Sequence, residues 1–361
     1  MKKKIAIIFG TRPEIIKISP FIQGASARGW NFFVIHTGQH YSEIMDKVFR
    51  KNFSLPEPKY NLEVGSGTHA EQVGKMMIET EKVLLEEKPD YICVYADLNS
   101  SLAGALAAAK LNIPIIQLEG GLRSFDRTMP EEVNRVVVDR LASYLFAPTQ
   151  LQREHLEREG ITENIFVVGN LIADVVKDVL LKAIKENKIH ERLGLESGKY
   201  FLATIHRPAA VDNPGNFQKL LSGLALVAEH YQWPVIYPIH PRSQKNLDIS
   251  GLSVPRGIRL VEPLGYLDFL SLASQSKIIL SDSGGIQEEA SIMQVPLVSL
   301  RENTERQETL ALGSNVLAGF EPETILEKAK IMAERRRNWR HPYGENVAEK
   351  MLNILEKKLG L

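Results

Sequence analysis

Short, continuously apolar runs alternate along the chain with longer stretches in which apolar residues recur at helical spacing. In the first half the apolar runs fall at 4–9, 32–37, 91–95, 114–118 and 144–147, and helical patterns fill 13–27, 70–87, 100–111 and 131–141. Strands that are apolar at nearly every position, rather than at every second one, predict a parallel sheet covered on both faces. The pattern then begins again. Strands are predicted at 201–205, 235–239, 258–261, 278–280, 297–300 and 316–317, and helices at 216–229, 266–274, 286–293 and 324–335. The fold class is therefore α/β, with two Rossmann-like, doubly wound halves. A boundary near Gly169-Asn170, ahead of a helix from about Ile172, gives an N-terminal domain over 1–169 and a C-terminal domain over 170–345. A last amphipathic stretch within 346–361 lies past the second set of strands and is predicted to pack back onto the first domain. The polar segment 52–69, with its Pro and Gly residues, reads as a long surface loop of the kind that often serves as a lid.

Composition narrows the class without naming a chemistry. Among 361 residues, 44 Lys+Arg balance 44 Asp+Glu, so no whole-chain charge argues for nucleic acid or an anionic membrane as partner. No apolar run reaches membrane-spanning length, and 5–9 is too short for a signal-peptide core, so a cytoplasmic location is the default. Cys93 is the single cysteine. It cannot form an internal disulfide, and inside the run 91–94 it is expected to be a buried, inert thiol.

The candidate chemistry sits where strands end. In open α/β sheets that edge is where ligands bind. Ser281-Asp282-Ser283-Gly284-Gly285 follows an apolar strand and precedes a helix. Small residues there let the main chain approach a ligand, and a helix N-terminus presents free N–H groups to a diphosphate, with the Ser283 hydroxyl as a further donor. A plain capped helix with a tight turn accounts for the same residues. Glu288 and Glu289, one turn in, suit the hydroxyls of a ribose. Gly10-Thr11-Arg12-Pro13-Glu14 ends the first strand in the same way. Pro13 suits the first turn of a helix, and Arg12 at that start is placed to bind phosphate through both guanidinium arms, with Lys17 one turn on. His36-Thr37-Gly38-Gln39-His40 ends the second strand and either lines this edge or forms a turn.

Carboxylates gather on the same edge of the first half. Asp97 follows its third strand, Glu119 its fourth, and Glu131 and Glu132 open a helix after Pro130. Carboxyl groups that share a site raise one another's pKa, which permits acid and base work near neutrality. Capping is the alternative for Asp97 and Glu131 and the preferred reading for Glu132; for Glu119 it is weak, because a charge directly after a buried strand needs a reason. In the second half His206-Arg207 and His240 end successive strands, which favours at least one ligand-facing histidine.

Taken together, Gly10-Thr11-Arg12-Pro13-Glu14, Thr37-Gly38-Gln39-His40, Glu119-Gly120-Gly121-Leu122-Arg123-Ser124, Pro130-Glu131-Glu132-Val133-Asn134-Arg135, His206-Arg207-Pro208 and 281–289 resemble the non-hydrolysing UDP-N-acetylglucosamine 2-epimerases. Gly169-Asn170 and 301–306 also fit, so the resemblance runs over nearly the whole chain in order. It implies a GT-B fold, with the substrate in a cleft between two Rossmann-like domains, and the interconversion of UDP-N-acetylglucosamine and UDP-N-acetylmannosamine. The hydrogen on C2 is not next to a carbonyl, so the family expels UDP from C1, forms a 2-acetamidoglucal, and adds UDP back with a proton on the other face. The resemblance places the catalytic carboxylates on Asp97, Glu119 and Glu131, without deciding which takes the C2 proton. It places His206 near the diphosphate and Arg135 near the active site. Arg12, Lys17, Ser283, Gly284 and Gly285 would hold the diphosphate, and Glu289, or else Glu288, the ribose. No metal or redox cofactor is implied. The partners implied are the UDP-sugar and a second copy in a homodimer, with no nucleic acid and no membrane.

The chain departs from the family pattern at Ala96 and Leu98 around Asp97, at Gln117, at Gly120, and at Ala209-Ala210, where a Glu-Asn pair is usual. Tyr41-Ser42-Glu43 follows Gln39-His40, the segment matching the place where bacterial members bind a second substrate molecule, and that regulation is not expected here. Alternatives stay open at this point: a hydrolysing relative releasing UDP and N-acetylmannosamine, an epimerase of 2,3-diacetamido sugar uronates, a GT-B glycosyltransferase, and a non-catalytic nucleotide-sugar binder. The basic run Arg335-Arg336-Arg337 is better read as a solvated helix end than as a nucleic-acid patch.

Overall fold

In the computed structural model, which describes residues 2–38, 55–95 and 97–361 apart from the side chains of Arg12 and Glu186, the apolar runs form two wholly parallel sheets. The chain divides into two compact units, Met1–Val175 with Pro342–Leu361, and Val176–His341. The sheet of unit 1 contains β1 (Lys4–Phe9), β2 (Asn31–His36), β3 (Tyr60–Asn61), β4 (Tyr91–Val94), β5 (Ile115–Gln117), β6 (Tyr144–Ala147) and β7 (Ile165–Val167), in the order β3-β2-β1-β4-β5-β6-β7. Unit 2 contains β8 (Phe201–Thr204), β9 (Val235–Pro238), β10 (Ile258–Val261), β11 (Ile279–Ser281), β12 (Leu297–Ser299) and β13 (Asn315–Leu317), in the order β10-β9-β8-β11-β12-β13. Both sheets therefore share one winding plan. Each reverses direction at its first strand, between β1 and β4 and between β8 and β11, and such reversal points open a crevice at the carboxyl ends of the strands.

Alternation along each first strand shows why these runs are apolar throughout. Ile5, Ile7 and Phe9 join one core with Ile15, Ile18, Phe21 and Ile22 of α1 (Arg12–Ala27). Ala6 and Ile8 face the other core, with Val83 and Leu84 of α2 (His69–Glu87) and Ala105 and Ala108 of α3 (Asn99–Lys110). In unit 2, Phe201 and Ala203 pack against α9 (Pro214–Tyr231), while Tyr200 and Leu202 pack beneath α11 (Tyr266–Gln275). Cys93 is buried in β4, and that burial pushes its thiol pKa up.

The helix Val347–Leu359 belongs to unit 1 and lies against α1, adding Val347, Met351, Leu352 and Leu355 to the first core. Asp174, in the helix Ile172–Glu186, caps it by accepting from the amides of Val347 at 3.0 Å and Ala348 at 2.8 Å. Glu356 closes the far end, taking the Trp30 indole N–H at 3.0 Å and the Arg28 guanidinium at 2.8 Å.

The expected loop over 52–69 is partly strand. Tyr60 and Asn61 pair with Ile35 and His36, which puts β3 on the sheet edge. Two residues are too few for periodicity to register, and the strand is held by the flanking bonds Lys59 N–H to Val34 O and Leu62 N–H to His36 O. Residues 52–54 lie outside the described residues. The basic run at 335–337 is anchored rather than simply solvated: Arg337 donates to the carbonyls of Ser274, Ser276 and Lys277, and Arg335 to that of Leu312. Among the described residues, no helix is long and apolar enough to cross a membrane.

Candidate active site

At the reversal point of unit 1, β1 pairs with β4 through Ile7 and Cys93, so the segments after Phe9 and after Val94 emerge side by side. Asp97 lies just past β4, and its Oδ2 receives two nitrogens of Arg135, Nε and a terminal one, each at 2.8 Å. Arg135 comes from α4 (Pro130–Leu141) and is buried, and its other arm reaches Glu132 Oε2 at 2.5 Å. Asn134, its neighbour on that helix, donates to the Asp97 carbonyl at 2.8 Å. Glu131 stands three and four residues before these two, on the same face of α4, and is only half-buried. Glu132 plays a structural part. It accepts from the amides of Ser124 and Phe125, each at 2.9 Å, and so fastens the loop that follows Glu119. Burial favours its neutral form most strongly, but those amides and Arg135 outweigh burial and hold its pKa below the usual carboxylate value.

Glu119 follows β5 and is 3% exposed. Its Oε1 accepts from Asn170 Nδ2 at 2.6 Å, with the Tyr95 hydroxyl and Lys17 Nζ each at 3.5 Å. Lys17 is thus brought to a carboxylate, and its ammonium lies 5.9 Å over the Tyr95 ring. The loop past Glu119 rests on an ion cluster in which Arg123 and Asp139 are buried and Glu159 is exposed. Arg123 grips both oxygens of Glu159 and, with the Gly121 amide, one oxygen of Asp139.

The turn after β1 carries a further buried acid. Glu14 is 2% exposed; its Oε2 accepts from the amides of Gly10 at 2.8 Å and Thr11 at 2.9 Å and from the Thr11 hydroxyl, while Oε1 accepts from the Ser100 hydroxyl at 2.8 Å. Burial dominates these favourable bonds and pushes its pKa up to about 7. Arg12 is the first residue of α1, but its side chain, like Gln39, His40 and Ala96, lies outside the described residues. Of the second strand's polar tail, His36 Nδ1 lies 3.4 Å from Asn61 Oδ1, and Gly38 turns the chain at φ 67°.

Unit 2 repeats the scheme with different groups. β8 and β11 pair through Thr204 and Ser281, which sets the ends of these strands together. Asp282, fully buried, accepts from the amides of His206 at 2.8 Å and Arg207 at 2.7 Å. One carboxylate thus ties down the turn after the first strand in each sheet, Glu14 in unit 1 and Asp282 in unit 2. The His206 and His240 rings lie 5.6 Å apart, centroid to centroid, and His240 caps the helix Pro241–Ser250 by accepting from the Arg242 amide at 3.1 Å.

Ser283 stands at the N-cap position of α12 (Gly284–Ile292) without a side-chain capping bond, and the first residues of the helix are the two glycines. They are glycine for different reasons. A Cβ on Gly284 would lie 2.1 Å from Glu305 Oε1, so the protein itself fills that space, whereas a Cβ on Gly285 would meet nothing within 4 Å. Glu305 is held in turn by Arg301 at 2.7 Å and Arg207 at 3.6 Å. The ribose candidates also separate. Glu288 is fully buried against Arg306 Nε at 2.9 Å, while Glu289 accepts from the Tyr266 hydroxyl at 2.9 Å. Among the described residues, no cluster of three or more His, Cys, Asp or Glu is placed to hold a metal ion.

Comparison with known proteins gives this arrangement its family. A family model described as UDP-N-acetylglucosamine 2-epimerase matches residues 25–356. The chain belongs to the UDP-N-acetylglucosamine 2-epimerase family. It is 48% identical to a UDP-N-acetylglucosamine 2-epimerase of Methanocaldococcus jannaschii over 360 residues, covering 98% of each chain. A Pseudomonas aeruginosa UDP-2,3-diacetamido-2,3-dideoxy-D-glucuronate 2-epimerase is 36% identical, covering 91% of each chain. Among solved structures, the M. jannaschii UDP-GlcNAc 2-epimerase in complex with UDP-GlcNAc and UDP superimposes with a TM-score of 0.92 at 47% identity, covering 98% of this chain and 99% of the other. The chain has the GT-B-like, two-domain α/β fold of these epimerases.

Three polar residues that organise the site carried no role in the sequence reading. Glu14 and Asp282 were visible only as members of motifs, and Asn170 only as a boundary marker and as part of the family resemblance. Spacing could not reveal the role of Asn170, because its carboxylate partner is 51 residues away.

Proposed function

We propose that the chain catalyses the reversible C2 epimerisation of UDP-N-acetylglucosamine to UDP-N-acetylmannosamine, by eliminating UDP and adding it back to a 2-acetamidoglucal. The observation that carries the reading is Glu119: a buried carboxylate just past a strand end, gripped by Asn170, near Lys17, in a chain 48% identical to an epimerase of that name. A charge is buried and hydrogen-bonded in such a place at a cost in stability, which a catalytic role explains and a packing role does not.

In this mechanism Asp97, Glu119 and Glu131 supply the acid and base groups at the sugar. Arg135 and Asn134 fix Asp97, so that its carboxylate holds one orientation while a proton moves on or off C2. Arg12, Lys17 and the N-terminus of α12, with Ser283, Gly284 and Gly285, take the charge that builds on the departing diphosphate. The open space over Gly285 suits close approach by a phosphate. Glu289 receives the ribose hydroxyls, since Glu288 is committed to Arg306. His206 serves the diphosphate. A homodimer and a cytoplasmic location complete the proposal.

The test is incubation with UDP-N-acetylglucosamine in heavy water, followed at C2 by NMR. A new UDP-sugar with deuterium at C2 is expected. Free N-acetylmannosamine with UDP would instead make the enzyme a hydrolysing one. Turnover of a 2,3-diacetamido uronate alone would move the specificity to that of the P. aeruginosa relative. Absence of exchange and of any new sugar nucleotide would refute epimerisation.

A further inference from the structure

We propose that Asp282 is a positioning residue for His206: it keeps a proton on Nδ1 and so commits the opposite ring nitrogen, Nε2, to the diphosphate of the ligand. The ligand in this statement rests on the epimerase reading; the geometry does not.

The two oxygens of Asp282 do different things. Oδ2 accepts from two successive amides, those of His206 and Arg207, at 2.8 and 2.7 Å. That fixes the main chain from which the imidazole springs. Oδ1 is buried, and the polar atom brought to it is His206 Nδ1, 3.3 Å away. A buried carboxylate oxygen is costly to leave without a donor, and a proton on Nδ1 supplies one. Only 1% of the Asp282 side chain is exposed, against 38% for His206, so the histidine is held on its inner edge and open on its outer one.

Neighbouring side chains have bonds of their own, and the Arg301 charge also acts on Asp282. His240, with its ring centroid 5.6 Å away, uses its own Nδ1 to accept from the Arg242 amide. Arg207 turns toward Glu305, at 3.6 Å, which Arg301 also holds. A carboxylate on one ring nitrogen selects the tautomer, fixes the ring plane and stabilises the imidazolium. With Nδ1–H on Asp282, Nε2 is the nitrogen left to face the ligand. The form that acts on the ligand is the imidazolium, with Nδ1–H on Asp282 and Nε2–H on the diphosphate: as the C1–O bond breaks and its electron pair passes to the diphosphate oxygen, the Nε2–H hydrogen bond stabilises that oxygen, and no atom is transferred. The Ser-Asp-Ser-Gly-Gly segment then serves the diphosphate twice, through the amides of α12 and through the histidine that its aspartate orients.

Long-range ¹H–¹⁵N spectra of the full-length, ¹⁵N-labelled protein above pH 8 give the His206 tautomer directly, with His206→Gln providing the assignment. The expected result is the Nδ1–H tautomer in the wild type. Asp282→Asn keeps an oxygen for the two amides but turns an NH₂ toward Nδ1, so its ring is expected as Nε2–H. With no carboxylate to stabilise the imidazolium, its kcat for UDP-N-acetylglucosamine should fall on the order of 10²-fold, with KM within about threefold of wild type. A wild-type ring protonated on Nε2 in place of Nδ1 overturns the proposal, and this reading does not need the variant to fold. A folded Asp282→Asn protein that keeps the wild-type tautomer and kcat overturns it equally. If the wild type turns over no UDP-sugar, the epimerase reading fails, and the tautomer still decides the role of Asp282.

Discussion

Replacing Glu14 with Gln should abolish a pH-dependent loss of stability. The carboxyl is fully buried, and its four donors (the amides of Gly10 and Thr11 and the hydroxyls of Thr11 and Ser100) are all neutral groups. Burial raises its pKa from 4.5 to about 7. Because the folded-state value lies above the unfolded one, the folded protein binds more protons in that window. Stability from this group is full below about pH 4.5, falls as pH rises toward 7, and is flat above. A shift of this size, at 1.36 kcal/mol per unit, corresponds to about 3 kcal/mol. Gln reproduces the protonated acid: its oxygen can take the two amides, and its NH₂ can donate to the Ser100 hydroxyl. Urea unfolding of wild type and Glu14→Gln from pH 4.5 to 8 is the assay. The stability of wild type relative to the variant should drop by about 3 kcal/mol across that range, most steeply between 5 and 7. A gap that stays constant would show that Glu14 ionises with its ordinary pKa, and a gap that moves the other way would show that the four donors outweigh burial.

The adjacent acids of α4 should part company. Glu132→Gln leaves the buried Arg135 without one of its partners and loosens the 124–125 loop, costing about 3 kcal/mol in urea unfolding, whereas Glu131→Gln should change stability by less than about 0.5 kcal/mol yet lower kcat at least about 100-fold. Asn170→Ala removes the 2.6 Å bond to Glu119, a bond to a charged group worth about 2 kcal/mol, and should lower kcat for UDP-N-acetylglucosamine without a matching rise in KM. Gly169→Ala puts a Cβ 2.2 Å from the Tyr343 carbonyl at a residue with φ 109°, and should destabilise the protein by more than about 2 kcal/mol, with loss of the Val347–Leu359 helix followed by hydrogen exchange.

Some of this protein could be read without coordinates because the physics involved is local. A parallel strand buried on both faces must be apolar at every position, so β1, β4, β8 and β11 announced themselves, and with them the edge where the polar motifs fall. Elements whose stability comes from elsewhere stayed hidden. The helix Gln150–Arg158 is polar over most of its surface, and its short apolar stripe gave no clear period; Tyr60–Asn61 is a strand only because β2 lies beside it. The site divided along the same line. Asp97, Glu119 and Glu131 stood out as candidates, since a carboxylate after a buried strand or at the start of a helix is conspicuous.

Which residues serve those carboxylates was settled by tertiary structure. Arg135 reaches Asp97 across 38 positions, Asn170 reaches Glu119 across 51, and Asp282 reaches the His206 amide across 76. The chain alone thus determined two doubly wound sheets and the edge on which their polar motifs fall, because strand burial and helix periodicity act between neighbours in sequence. The fold alone decided which carboxyl is held, which is clamped to the main chain and which stays open to solvent, because burial and hydrogen bonding depend on distances that no spacing in the sequence records.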